Sequence, residues 1–323
     1  MVKRGKGKLR TALANHNARA KQRAYEKQKE EMEQKQMKRK LAQPPRPQKS
    51  VRPFEKDDTI LLVGEGNFSF TLALLSEPHN HPPHQILATS FDTEEEVCQK
   101  YPDATDILQQ IRARAGTHAQ HILAFGVDAG ALHKCDAVTG SSKHEQRRWS
   151  KVWFGFPHVG AGHKDEQRNV LANQFLLLRF LISVAPYLTD GRPPVYVTGK
   201  KHRHMDSDED ESDEEDAMAQ GPPASMTPSD SLTTWRPLTP PARQGSVLIT
   251  IRNASPYTLW NVPALGKHIR SMLPAISATA PSLPKGMFIP SLADVDKNHA
   301  DYQVWRSFEF VPQEWPGHQY IAQ

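Results

Sequence analysis

From residue 59 onward, short apolar runs alternate with stretches of helical periodicity. That alternation constrains the fold more than any other feature of the chain. "TILLVGE" (59–65) reads as a strand and "SFTLALLSE" (69–77) as the start of a helix. "QILATSFD" (85–92) is a second strand. "TEEEVCQKYPDATDILQQIRARAG" (93–116) is a helix with Thr93 as N-cap and Glu96 completing a capping box. "AQHILAFGVDA" (119–129) and "WSKVWFGFP" (149–157) are further strands, and "KDEQRNVLANQFLLLRFLISVAPYLTD" (164–190) is a long helix. Strands separated by helices pair in parallel, with helices on both faces of the sheet. The expected fold class is therefore α/β.

Two stretches fall outside this rhythm. Residues 1–50 carry sixteen Lys or Arg against four Glu, a net of about +12. "TALANHNARAKQRAYEKQKEEMEQKQMKRK" is rich in helix formers but has no apolar stripe, and "QPPRPQKSVRP" stops any helix. Residues 1–56 thus read as a basic, partly helical arm with a Pro-rich linker, suited to RNA contact or to nuclear and nucleolar targeting. Later, "DSDEDESDEED" (206–216) packs nine acids around two serines, and a Pro/Ser/Thr-rich stretch follows. Such a segment cannot bury enough apolar surface to offset its ordering. The expected organisation is a first domain part at 57–200, a disordered insertion at 201–243 and a C-terminal part at 244–323. Ser207 and Ser212, set among acids, suit an acidophilic kinase; alternatively, the segment is only a solvated spacer. Either "PVYVTG" (194–199) or "SVLITI" (246–251) supplies the remaining strand.

Composition excludes several classes. The only cysteines, Cys98 and Cys135, have no metal or redox spacing, which argues for a reducing compartment. The longest apolar run, around "FLLLRFLISVA", contains Arg179 and falls short of the roughly 20 residues of a membrane span, so no membrane is expected. The N-terminus shows no apolar signal core, which argues against secretion. The histidines of "HNHPPHQ" and "KKHRH" have no matching Cys or carboxylate set, so no metal site is expected.

The chemistry concentrates at strand ends. In an open α/β sheet, ligands bind beyond the carboxyl ends of the strands. Gly64 and Gly66 let the chain turn tightly and a ligand approach the backbone. A dinucleotide fingerprint needs a third glycine where Ser69 stands, and a phosphate loop needs a Lys that is missing. Glu65 inside the turn disfavours a pyrophosphate and suits a cationic amino group. That points to S-adenosylmethionine. Asn67, Phe68 and Ser69 carry the turn into its helix. Asp92 ends the second strand, where an acid accepts from ribose hydroxyls; Asp128 ends the third, near an adenine. Alternatively, both simply cap helices. After the fourth strand come Phe156, Pro157 and His158. An aromatic there can stack on a base, and His158 can orient the base or move a proton; alternatively, Phe154 and Phe156 are core residues and His158 a surface one. Tyr257 and Trp260 either stack bases or pack the last helix onto the sheet.

Taken in order, "ILLVGEGNFSF", "ATSFD", "KYPDA", "VDA", "FPHVG", "NQFLLLRF" and "PYTLWNV" resemble the fungal 25S rRNA (uridine-N3)-methyltransferase family over about residues 57–320, apart from the insertion. The resemblance implies a Rossmann-like class I methyltransferase fold, S-adenosylmethionine as donor, an rRNA uridine or pre-ribosomal particle as partner, and a nucleolar setting. It assigns Gly64, Glu65 and Gly66 to the methionine moiety, Asp92 to ribose and Asp128 to the adenine. Phe156, Pro157 and His158 would border the acceptor. Direct transfer to N3 needs no covalent adduct, and neither cysteine is placed to form one. A monomer is expected.

This chain departs from the family pattern at Asn67, where an Asp is usual, at Gly155, where an Asn is usual, and at the closing "WPGHQY". Those departures carry an alternative reading: an inactive methyltransferase-fold protein that binds rRNA or assembly factors. A methyltransferase for protein or small molecules is the third class, against which the basic arm speaks.

Overall fold

Five short strands form one sheet in which each neighbouring pair is parallel. They are β1 (Ile60–Val63), β2 (Ile86–Thr89), β3 (Leu123–Ala124), β4 (Lys151–Gly155) and β5 (Ser246–Thr250), in the order β3-β2-β1-β4-β5. The computed structural model describes residues 51–140, 146–160, 165–193 and 237–317. The basic arm, "PVYVTG", "KKHRH", Ser207, Ser212 and the last six residues lie outside them.

β1 is buried on both faces, as a central parallel strand must be, and this is why it reads as a continuous apolar run. Its side chains alternate between two cores. Leu61 and Val63 join Leu87, Val152 and Phe154 against α5 (Glu166–Val184), whose Phe175, Leu178 and Phe180 are buried there. Ile60 and Leu62 join Ile86, Ala88 and Trp153 against α1 (Ser69–Leu75) and α3 (Ala104–Ala115). α5 is long and apolar enough to cross a membrane by length and composition, but two thirds of its apolar window is packed inside the protein.

The stretch 93–116 is two helices, not the single helix expected. α2 (Glu94–Lys100) carries the Thr93–Glu96 capping box. It stops at Tyr101, whose extended backbone (φ −122°, ψ 110°) is what a residue before proline adopts. Pro102 follows, and α3 starts two residues later. The third strand is also shorter than expected, and the chain bends between Phe125 and Asp128.

β5 comes from beyond the insertion, so the chain on either side of 201–236 builds the same sheet. The insertion is rooted at the amino ends of β4 and β5. There Thr189 N–H donates to Trp149 O (3.1 Å) and Gly245 N–H to Thr189 O (2.8 Å). Arg243 binds Asp57 and the fully buried Asp58 at the entry to β1 (2.6 and 2.7 Å). A short α4 (Asp136–Thr139) precedes β4, and α6 (Val262–Lys267), α7 (Ile269–Thr279) and α8 (Leu292–Lys297) follow β5. The final described stretch returns across the α1 face, where Phe310 and Trp315 pack on Phe70 at centroid distances of 6.2 and 4.7 Å.

Candidate active site at the carboxyl end of the sheet

The chain order reverses between β1 and β4. From β1 it proceeds outward to β2 and β3, then crosses back to β4 on the other side. Such a reversal opens a crevice above the carboxyl ends of the two strands. Val63 pairs with Phe154 there, so the turn after β1 and the loop after β4 emerge side by side.

The first wall is the Gly64-Glu65-Gly66 turn. Gly64 has φ +70°, and an added Cβ would lie 2.8 Å from Phe154 Cε2. A Cβ on Gly66 would lie 2.8 Å from the Tyr101 hydroxyl. Glu65 N–H donates to Thr89 O (2.8 Å), which pins the turn to the end of β2. The Glu65 side chain is buried. Its Oε2 accepts from the Thr71 hydroxyl (3.2 Å) and amide (3.4 Å), while Oε1 has no partner among the described residues. Burial raises its pKa to about 7, with the Thr71 bonds opposing. A buried carboxylate oxygen without a donor beside a glycine cradle fits a ligand that brings an ammonium group. The turn therefore suits the methionine end of S-adenosylmethionine.

Asn67 and Phe68 complete the turn. Asn67 Oδ1 accepts from Ser69 N–H (3.1 Å), and its amide donates to Asp103 Oδ2 (2.9 Å). Phe68 adopts φ +63° although fully buried, with its ring 5.3 Å from that of Phe125. Ser69 is buried as the first residue of α1.

Asp92 lies just past β2. Its Oδ1 meets Lys100 Nζ at 2.6 Å, and its backbone carbonyl accepts from Gly126 N–H. Phe91 beside it is 58% exposed. Asp128 is more committed: Oδ1 accepts from Gly130 N–H (2.8 Å) and Oδ2 from Arg179 (2.6 Å), whose side chain is only 1% exposed. Arg179 Nε also donates to Phe288 O (2.8 Å). Both carboxylate oxygens of Asp128 thus serve a helix cap and a buried ion pair.

The opposite wall follows β4. Phe156 stands at φ +49°, a strained conformation for a bulky residue, and its N–H donates to Thr250 O (2.8 Å) on β5. Pro157 is buried. His158 is exposed at the rim, and its Nδ1 accepts from Gly160 N–H (2.9 Å). That bond leaves Nε2 to carry the ring proton. Desolvation by the surrounding loop lowers its pKa, so the ring is neutral at pH 7. Sequence reading missed the residue that holds this loop. Buried Asn173 on α5 accepts from Val159 N–H (3.0 Å), and its amide turns back to Asn169. Its position in "NQFLLLRF", a polar side chain on the buried face of an apolar helix, was the available signal. Trp260 is buried in the core with Tyr257 against it (5.1 Å), as expected from the packing alternative. Among the described residues, no group of His, Cys, Asp or Glu could hold a metal ion. His79 instead stacks on Trp315 (4.1 Å), and His81 bonds Asp58 O (2.9 Å).

A parallel sheet of order 3-2-1-4-5, flanked by helices and carrying an acid-containing glycine turn after β1, defines a Rossmann-like methyltransferase fold. Within that class, residues 61–321 match the family model described as rRNA (uridine-N3-)-methyltransferase BTM5-like, and the chain belongs to that family. Among curated proteins it is similar to the 25S rRNA (uridine(2634)-N(3))-methyltransferase of Saccharomyces cerevisiae, 28% identical over 41% of this chain and 42% of the yeast protein. An uncharacterized Arabidopsis thaliana protein is 32% identical over 47% of this chain and 68% of its own length. Ferredoxin-fold anticodon-binding domain-containing protein 1 of Homo sapiens is 34% identical over 41% of this chain and 18% of its own. The chain thus matches less than half the length of the yeast enzyme. No solved structure matches it.

Proposed function

We propose that this protein methylates N3 of a uridine in large-subunit rRNA, using S-adenosylmethionine, during ribosome assembly in the nucleolus. One observation carries the reading: the buried Glu65, with one oxygen unpartnered among the described residues, sits in a glycine turn beside the Phe156-Pro157-His158 loop. The family and the yeast relative support the substrate class.

When bound, S-adenosylmethionine supplies an electrophilic methyl group on a sulfonium. Gly64, Glu65 and Gly66 would hold its amino-acid end, with Asn67, Phe68 and Ser69 shaping the turn and Asp92 facing the ribose. Asp128 would border the adenine through its position more than its carboxylate, which is already engaged. Phe156 would stack on the acceptor base. His158, neutral and protonated on Nε2, would donate a hydrogen bond to a uracil carbonyl oxygen. That favours the anionic ring whose N3 has lost its proton to water. Positioning in line then does the remaining work.

Calorimetric titration with S-adenosylmethionine tests the reading. Saturable binding by the wild type, lost in Gly64→Arg and weakened in Asp92→Ala, is expected. A folded wild type that binds nothing would refute it.

Gly155 favours a second reading, binding to rRNA or assembly factors without turnover, because no side chain projects from that position. Retained cofactor binding with no methyl transfer to any rRNA would identify it.

A further inference from the structure

We propose that Trp153, through Thr250, is a positioning residue that couples the cofactor turn to the acceptor loop. Trp153 is 5% exposed, on the α1 face of β4. Two residues later on the same face, Gly155 offers no side chain, and a Cβ there would lie only 2.3 Å from Trp153 Cη2. The indole therefore occupies the space a side chain at 155 would need. Trp153 and Gly155 are a matched pair: a side chain at 155 would force the indole to move.

The indole makes two further contacts that tie separate walls together. Its face stacks on Phe70 at 3.9 Å, and Phe70 is the second residue of α1, immediately after the glycine turn. Its Nε1 donates to Thr250 Oγ1 at 2.8 Å. Thr250 is also the residue whose carbonyl accepts from Phe156 N–H. Phe156 stays at φ +49° only while its surroundings over-determine it, and that amide bond is one of the contacts that hold it. Phe310 closes the arrangement, 6.4 Å from Trp153 and 6.0 Å from Phe156 by ring centroids. Any displacement of α1 would thereby pass through one rigid ring to the strand end that carries the loop after β4. Thr250 fixes the ring's rotation, because its hydroxyl accepts the indole N–H.

This inference rests on the methyltransferase reading above, and two measurements separate them. Thr250→Val removes the hydroxyl at nearly constant volume, and Thr250→Ser restores it. The first measurement is steady-state methyl transfer to rRNA. Thr250→Val and Trp153→Phe are expected to lower kcat at least about tenfold with the KM for S-adenosylmethionine near wild type, measured at a temperature where both variants remain folded, and Thr250→Ser to recover the rate. The second is amide hydrogen exchange in the absence of substrate. Phe156 is expected to exchange at least about tenfold faster in Thr250→Val, while Leu61 and Leu62 stay protected. Unchanged exchange at Phe156 in Thr250→Val would overturn the coupling. So would a uniform loss of protection, which marks a structural role alone. A wild type without methyl transfer whose Phe156 amide still responds to Thr250→Val would refute the enzymatic reading and leave the coupling standing.

Discussion

Asn67 donates its side-chain amide to Asp103 at 2.9 Å, joining the glycine turn after β1 to the start of α3. The family's usual Asp at this position would set two carboxylates face to face. The amide is therefore matched to its neighbour. Asp103 Oδ1, buried and without a partner among the described residues, adds to the cost of a second acid.

Asn67→Asp is expected to destabilise the protein by about 1–3 kcal/mol at pH 7, through like-charge contact and the lost bond. The double variant Asn67→Asp/Asp103→Asn is expected to recover most of that loss. Urea denaturation of the three proteins measures both.

Glu65 gives the site a pH dependence of defined sign. Its folded pKa, about 7, lies above the ordinary 4.5, so the folded protein holds a proton that the unfolded chain has released. The stabilising contribution of Glu65 is therefore fully present below pH 4.5 and is lost as pH rises through about 7. Glu65→Gln is expected to flatten that part of the profile. Binding of a cationic amino group needs the carboxylate, so affinity for S-adenosylmethionine is expected to tighten about tenfold from pH 5.5 to 7. Calorimetry across that range in wild type and Glu65→Gln checks it, the variant showing weak, pH-independent binding.

Gly64→Ala probes the turn. At φ +70° a side chain costs about 1 kcal/mol, and here it also meets Phe154. Expected is a folded protein, a few degrees less stable by calorimetric melting, with cofactor affinity reduced at least about tenfold.

Asp128 and Arg179 separate structure from recognition. Asp128→Ala strips a buried guanidinium of its carboxylate, at a cost of about 3–5 kcal/mol. The loss of stability is expected to exceed any loss of affinity measured on the protein that remains folded. Asp92→Ala, at an exposed salt bridge, is expected to show the reverse.

The elements legible from sequence are those set by local rules. The apolar run of β1, its glycine turn and the Thr93–Glu96 cap depend on residues close in the chain, and each forms as read. The break at Pro102 was equally local and was passed over, because helical periodicity on both sides masked it. What sequence could not give were partners set by tertiary packing. Arg179 reaches Asp128 across 51 positions, an ion pair that no local pattern announces. Asn173 holds the loop after β4 from a helix whose pattern speaks only of core. Gly155 looked like a lost side chain until the direction of Trp153, fixed by its stacking on Phe70, showed the space already filled.

Transfer of a deuterated methyl group tests the central claim most directly. Purified protein would be incubated with unmodified large-subunit rRNA and S-adenosylmethionine labelled in its methyl group, and the digested nucleosides resolved by mass spectrometry. Label in 3-methyluridine, absent with Gly64→Arg, is the expected result. Label on carbon 5 or on a ribose, or no labelled nucleoside from a protein that binds the cofactor, would contradict it.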